Sequence, residues 1–110
     1  MIDWKRVETL QAEIGEADLD DVVDLFLEEV EEVLDRLRHP ALPRQREADL
    51  HFLKGSALNL GFSNLAAACQ RDEARAARGE DVDPNPIISL YSASKQAFQA
   101  GRANPARRRA

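Results

Sequence analysis

The chain is 110 residues long with 44% apolar and 32% charged side chains, a balance that suits one helical domain around one core and leaves no material for a second. No apolar run approaches the roughly 20 residues needed to span a bilayer, and the opening Met-Ile-Asp-Trp-Lys-Arg-Val-Glu lacks the apolar stretch of a secretion signal, so no membrane partner and a cytoplasmic location are expected. The net charge of −5 conceals 13 acidic and 2 basic side chains in residues 1–35 against 7 and 13 in residues 36–110, and so acidic a half repels phosphate backbones and argues against a nucleic-acid partner.

Asp3 is placed to cap a first helix from Trp4 to about Glu13, with Gly15 ending it. Trp4, Val7, Leu10 and Ile14 recur at three- and four-residue steps, the apolar stripe of a short helix. A second helix is expected from about Ala17 to Arg38. Leu19, Val23, Phe26, Val30, Val33 and Leu37 form its apolar stripe, widened by Val22, Leu27 and Leu34. The many carboxylates between Asp18 and Asp35 lack the Asp/Asn-Gly loop of a calcium hand and read as a solvated outer face. His39-Pro40 ends this helix, and His39 is given no chemical role. Pro43 opens a third helix that Gly61 stops. A fourth runs from Ser63 or Asn64 to Arg78, packed through Phe62, Leu65, Cys69 and Ala76, and Gly79 closes it. Asp83 and Pro84 start a fifth, with Ile87, Leu90, Tyr91 and Phe98 turned inward. The segment after Gly101 has no apolar periodicity, so the domain is set at residues 1–100, with 101–110 as a disordered basic tail. Strand patterns and repeats are absent. The expected fold is all-α, an up-down four-helix bundle with the short first helix capping one end, sufficient as a monomer.

The third helix carries the chemistry. At about 100° per residue, Lys54 and Gly55 fall roughly 60° and 40° to either side of His51, and Leu58 returns to within about 20° of it. Leu50, Leu53, Ala57 and Leu60 point the other way, towards a core. A histidine so placed is held firmly and left open to water, which suits a side chain that accepts a phosphoryl group on a ring nitrogen. Lys54 supplies a positive charge to neutralise that group. Gly55 costs about 1 kcal/mol in a helix relative to Ala, a cost that fits a need for clearance beside the imidazole. Leu58, Phe62 and Ala48 are expected to form an apolar docking patch around the ring, with Arg44 at its rim. Ser56, about 140° from His51, reads as a hydroxyl on the buried side. Cys69 is the one cysteine, so neither an internal disulfide nor a cysteine-based metal site is possible, and no metal ligands are assigned.

The run His51-x-Leu53-Lys54-Gly55-Ser56-Ala57-x-Asn59-x-Gly61 resembles the signature of histidine-containing phosphotransfer domains, and Leu65, Cys69, Asp72 and Glu73 are similar to that family's next helix. The resemblance extends over residues 2–100. It implies a phosphorelay intermediate of two-component signalling, in which His51 takes a phosphoryl group from the phospho-aspartate of one receiver domain, such as that of a hybrid histidine kinase, and passes it to another response regulator. It also implies that Mg²⁺ sits on the receiver, so the chain needs no cofactor of its own, and that it is a phosphotransfer protein without ATP-dependent kinase activity. Two positions depart from the family pattern: Leu58, where small residues are common, and Asp72-Glu73, where Leu-Glu is frequent. The alternative is a helical adaptor that binds receivers through the same face without being phosphorylated. A metal-dependent enzyme is a third reading, weakened by the lack of a second histidine or a Glu-x-x-His pair near the acidic residues.

Overall fold

The structure, a computed structural model, describes residues 1–103 and is all-helical there. Its elements are α1 (Trp4–Ile14), α2 (Glu16–Leu37), α3 (Pro43–Leu60), α4 (Ser63–Ala77) and α5 (Asn85–Ala103). The local signals act as expected. Asp3 accepts from the Arg6 amide at the start of α1, Pro43 opens α3, and Asp83 accepts from the Asn85 amide as α5 begins. None of the helices among the described residues is long and apolar enough to cross a membrane.

The apolar stripes of all five helices meet in one core, with Leu50, Leu53, Leu60, Phe62, Leu65, Ile87 and Phe98 almost wholly buried. Polar links fix which helix lies beside which. Arg36 of α2 and Gln45 of α3 both donate to the buried carboxylate of Asp49, at 3.0 and 3.1 Å. Arg46 reaches back to the Leu37 and His39 carbonyls, satisfying acceptors that the end of α2 leaves open. On the other edge of α2, Glu31 accepts from Tyr91 and Lys95 of α5 at 2.5 and 2.8 Å, and Asp20 pairs with Arg102. Asp20 and Glu31 thus pair with side chains of α5, although both carboxylates stay exposed at the surface.

α1 closes one end of the molecule. Ile2 bridges to Phe62, the Asp3 amide donates to the Gly61 carbonyl at 2.7 Å, and the Ser63 amide donates to the Met1 carbonyl at 3.1 Å. Gly61 is required here on two counts: its φ of 76° is left-handed, and a Cβ would stand 2.6 Å from the Asp3 carbonyl oxygen. Two expectations are corrected at this end. The helix does not stop near residue 100, because Gly101, Arg102 and Ala103 complete α5. Gly101 lies beneath the Trp4 indole, where a Cβ would overlap the ring at 2.1 Å, Trp4 stacks on Phe98, and the Arg102 guanidinium lies over the Phe98 ring. The remainder of the expected tail, residues 104–110, lies outside the described residues. Phe62 is not a surface residue either. Its ring is 0% exposed, edge-on to Phe98 at 5.5 Å and tilted against Tyr91 at 6.4 Å, because the left-handed turn at Gly61 sends the next side chain inward.

Candidate functional site

α3 and α4 pack more closely than any other pair of helices. Half of the buried residues along them are small, Ser56 and Ala57 on α3 and Ala66, Ala68, Cys69 and Ala76 on α4, which lets the two backbones approach. This closeness lets a glutamate on α4 reach two side chains on α3. Glu73 accepts from His51 Nδ1 through Oε2 at 2.9 Å, and its Oε1 faces the Lys54 ammonium at 3.0 Å. The imidazole is the most open of the three, 68% exposed against 24% for Lys54 and 19% for Glu73. Because an ionised carboxylate only accepts, the proton of a neutral ring sits on Nδ1. The lone pair then belongs to Nε2, on the side of the ring away from Glu73.

Burial pushes the Glu73 carboxyl up, but the hydrogen bonds and charges of Lys54 and His51 outweigh it and hold the group below its ordinary value of 4.5. A carboxylate with a lowered folded value stabilises the protein above the ordinary value, and that contribution is lost as pH falls through the lowered one. Glu73→Gln is therefore expected to flatten the loss of stability on acidification below pH 4.5, measured by urea unfolding across a pH series; an unchanged dependence would exclude the coupling. Cys69, one turn before Glu73, is pushed up to about 12 by burial and by the neighbouring Asp72 and Glu73 carboxylates. It is a packing residue, too poorly ionised to act as a nucleophile.

The face around the imidazole is open. Arg44, Ala48 and Gly55 are exposed on it, Leu58 is 56% exposed, and Phe52 adds a second exposed apolar side chain. A Cβ built on Gly55 meets nothing within 4 Å, so no packing among the described residues demands this glycine. Ser56 is buried. Of the residues singled out from the sequence, His51, Lys54, Gly55, Arg44, Ala48 and Leu58 thus share one side of α3, and Phe62 leaves the group. Lys54 is engaged with Glu73 in place of standing free. The part played by Glu73 was not legible beforehand, because 22 residues separate it from His51 and their meeting depends on the antiparallel register of α3 and α4. Phe52 had a signal, about 100° from His51 at the margin of the exposed arc. Among the described residues no three His, Cys, Asp or Glu side chains cluster as a metal site.

No curated protein matches the chain, and neither does any solved structure. A family model, the Hpt domain, matches residues 21–100, which covers most of α2, all of α3 and α4, and nearly all of α5. Phosphotransfer within two-component signalling is the role this implies, and on that match the chain belongs to the Hpt domain family.

Proposed function

We propose that the chain is a phosphorelay intermediate in which His51 takes a phosphoryl group from a receiver-domain aspartyl phosphate and passes it to the aspartate of another receiver. The observation that carries this reading is the exposed imidazole tied through Nδ1 to Glu73, which leaves Nε2 as the outward nucleophile. Pre-orientation of this kind removes rotational freedom before the partner arrives. In the proposed arrangement α2 to α5 form an up-down bundle, supported by the links of α2 to α3 at Asp49, α3 to α4 at Glu73 and α5 to α2 at Glu31. Its rigidity holds the ring in place.

The remaining roles follow from position. Lys54 balances Glu73 in the resting protein and has the reach to meet the phosphoryl oxygens after transfer. Gly55 gives clearance to the partner's backbone. Leu58, Ala48 and Phe52 supply apolar contact around the imidazole, and Arg44 meets receiver carboxylates at the rim. Mg²⁺ belongs to the receiver, the chain takes no phosphate from ATP by itself, and it works as a monomer in the cytoplasm. Incubation with a panel of phosphorylated receiver domains tests the reading. Transfer should yield a product that loses phosphate in acid and keeps it in alkali, as a phosphoramidate does; receivers that bind the chain without transferring to it would favour the adaptor alternative.

Gly55 separates clearance from packing. Since a Cβ there meets nothing among the described residues, Gly55→Ala should raise stability by about 1 kcal/mol through helix propensity, and Gly55→Leu should slow transfer without unfolding the protein. Thermal melts and transfer rates measured on both variants check this, and an undiminished rate in Gly55→Leu would remove the clearance role.

A further inference from the structure

We propose that Glu73 is a positioning residue for the phosphorylated state: its carboxylate keeps the Nδ1 proton on the ring after transfer, so that the phosphohistidine is a ready donor and not a long-lived store. This rests on the acceptor reading above and adds to it the fate of the phosphoryl group once it has arrived.

The form that reacts is the neutral ring, with its Nδ1 proton directed at Glu73 Oε2 and its lone pair on Nε2. Attack on the aspartyl phosphate forms the Nε2–P bond and breaks the P–O bond to the receiver's carboxyl. The receiver keeps that electron pair as its carboxylate, and the ring gains one positive charge. No proton has to move. The new charge stands against a carboxylate that is four-fifths buried and so poorly screened. In the next step an acceptor oxygen, from the second receiver's aspartate carboxylate or from water in hydrolysis, bonds phosphorus as the Nε2–P bond breaks, and the electron pair of the broken bond returns to the ring. With the Nδ1 proton held, the leaving group is neutral imidazole; without it, the leaving group is imidazolate, a far stronger base and a poorer one to expel.

The charged groups around the ring agree with this assignment. Glu73 faces it from α4, and Lys54 of α3 stands behind Glu73 on the other carboxylate oxygen. Arrival of a doubly charged phosphoryl group draws Lys54 towards the new oxygens and leaves Glu73 to the ring. Glu47 and Arg44 lie on the same side of α3, one and two turns before His51, while Arg71 and Arg75 of α4 are turned to Asp72. Among the described residues, Glu73 is the charged side chain bonded to the ring.

A carboxamide at position 73 accepts the same hydrogen bond without the charge, so Glu73→Gln isolates the electrostatic part. The full chain is labelled with potassium phosphoramidate, which makes the experiment independent of any receiver, and loss of the phosphoryl group is followed by phosphorus NMR over a pH series, with His51→Gln as the blank. In mildly alkaline buffer the wild-type label should decay about tenfold faster than that of Glu73→Gln, with the pH profile displaced by about one unit to the alkaline side, the size expected for one charge-assisted hydrogen bond. Lys54→Gln, which leaves Glu73 to the ring alone, should displace the profile further in the same direction, and it keeps the test decisive if Glu73→Gln fails to fold. Superimposable profiles overturn the assignment to Glu73 while leaving His51 as acceptor. Equal labelling of His51→Gln and wild type overturns both.

Discussion

Replacing His51 by Gln is expected to reduce phosphoryl acceptance from a phosphorylated receiver domain to background, with no measurable loss of fold. The imidazole carries the proposed acceptor nitrogen, and a carboxamide has no comparable lone pair on nitrogen to attack phosphorus. Because the side chain is 68% exposed, its removal creates no cavity, and stability should stay within about 0.5 kcal/mol of wild type. Gln at this position can still donate to Glu73, so the pairing of α3 with α4 is kept. Radiolabel transfer followed by acid and alkali treatment measures the first effect, and urea unfolding the second. Label persisting on His51→Gln would move the acceptor elsewhere in the chain.

Phe62→Ala is expected to act in the opposite way, with a large loss of stability and no specific effect on docking. The ring is fully buried and packs against Tyr91 and Phe98 at the end of the molecule that α1 closes. Truncating such a ring typically costs about 3–5 kcal/mol through lost burial and the cavity left behind. Set against the roughly 5–15 kcal/mol that holds a small domain together, this is a large fraction, and the melting temperature should fall by on the order of 15 °C. Whatever folded fraction remains should accept phosphate at close to the normal rate, because Phe62 does not share the His51 surface. A stable Phe62→Ala protein with impaired transfer would return the residue to the docking patch and contradict its burial.

The two variants also show where sequence reading succeeds and where it stops. His51, Lys54, Gly55 and Leu58 can be put on one side of α3 by counting residues, since helical periodicity is a local property and Leu50, Leu53, Ala57 and Leu60 declare the buried side. Phe62 sits two residues past the end of α3, where periodicity lapses. Its direction follows from the left-handed Gly61 and from the Met1–Asp3 segment hydrogen-bonded across that turn.

Glu73 is the same problem at longer range. The resemblance picks out Asp72 and Glu73 without giving either a role, and only the closeness of α3 and α4 brings Glu73 to His51 and Lys54. Glu31 and Asp20 are alike in this respect, surface acids whose partners on α5, Tyr91 and Lys95 for the one and Arg102 for the other, only the fold supplies. The lack of apolar periodicity after Gly101 hides the last residues of α5, and Gly101 itself is needed because the Trp4 indole occupies the space a side chain would take.

The amino-acid sequence by itself determined the five helices, their buried stripes and the exposed histidine, because caps, prolines and 3.6-residue periodicity act within a few residues of one another. Only the tertiary structure decided which carboxylate holds that histidine and which aromatic ring closes the core. Those contacts join residues remote along the chain, and their existence depends on helix register and close approach, which packing of the whole core sets.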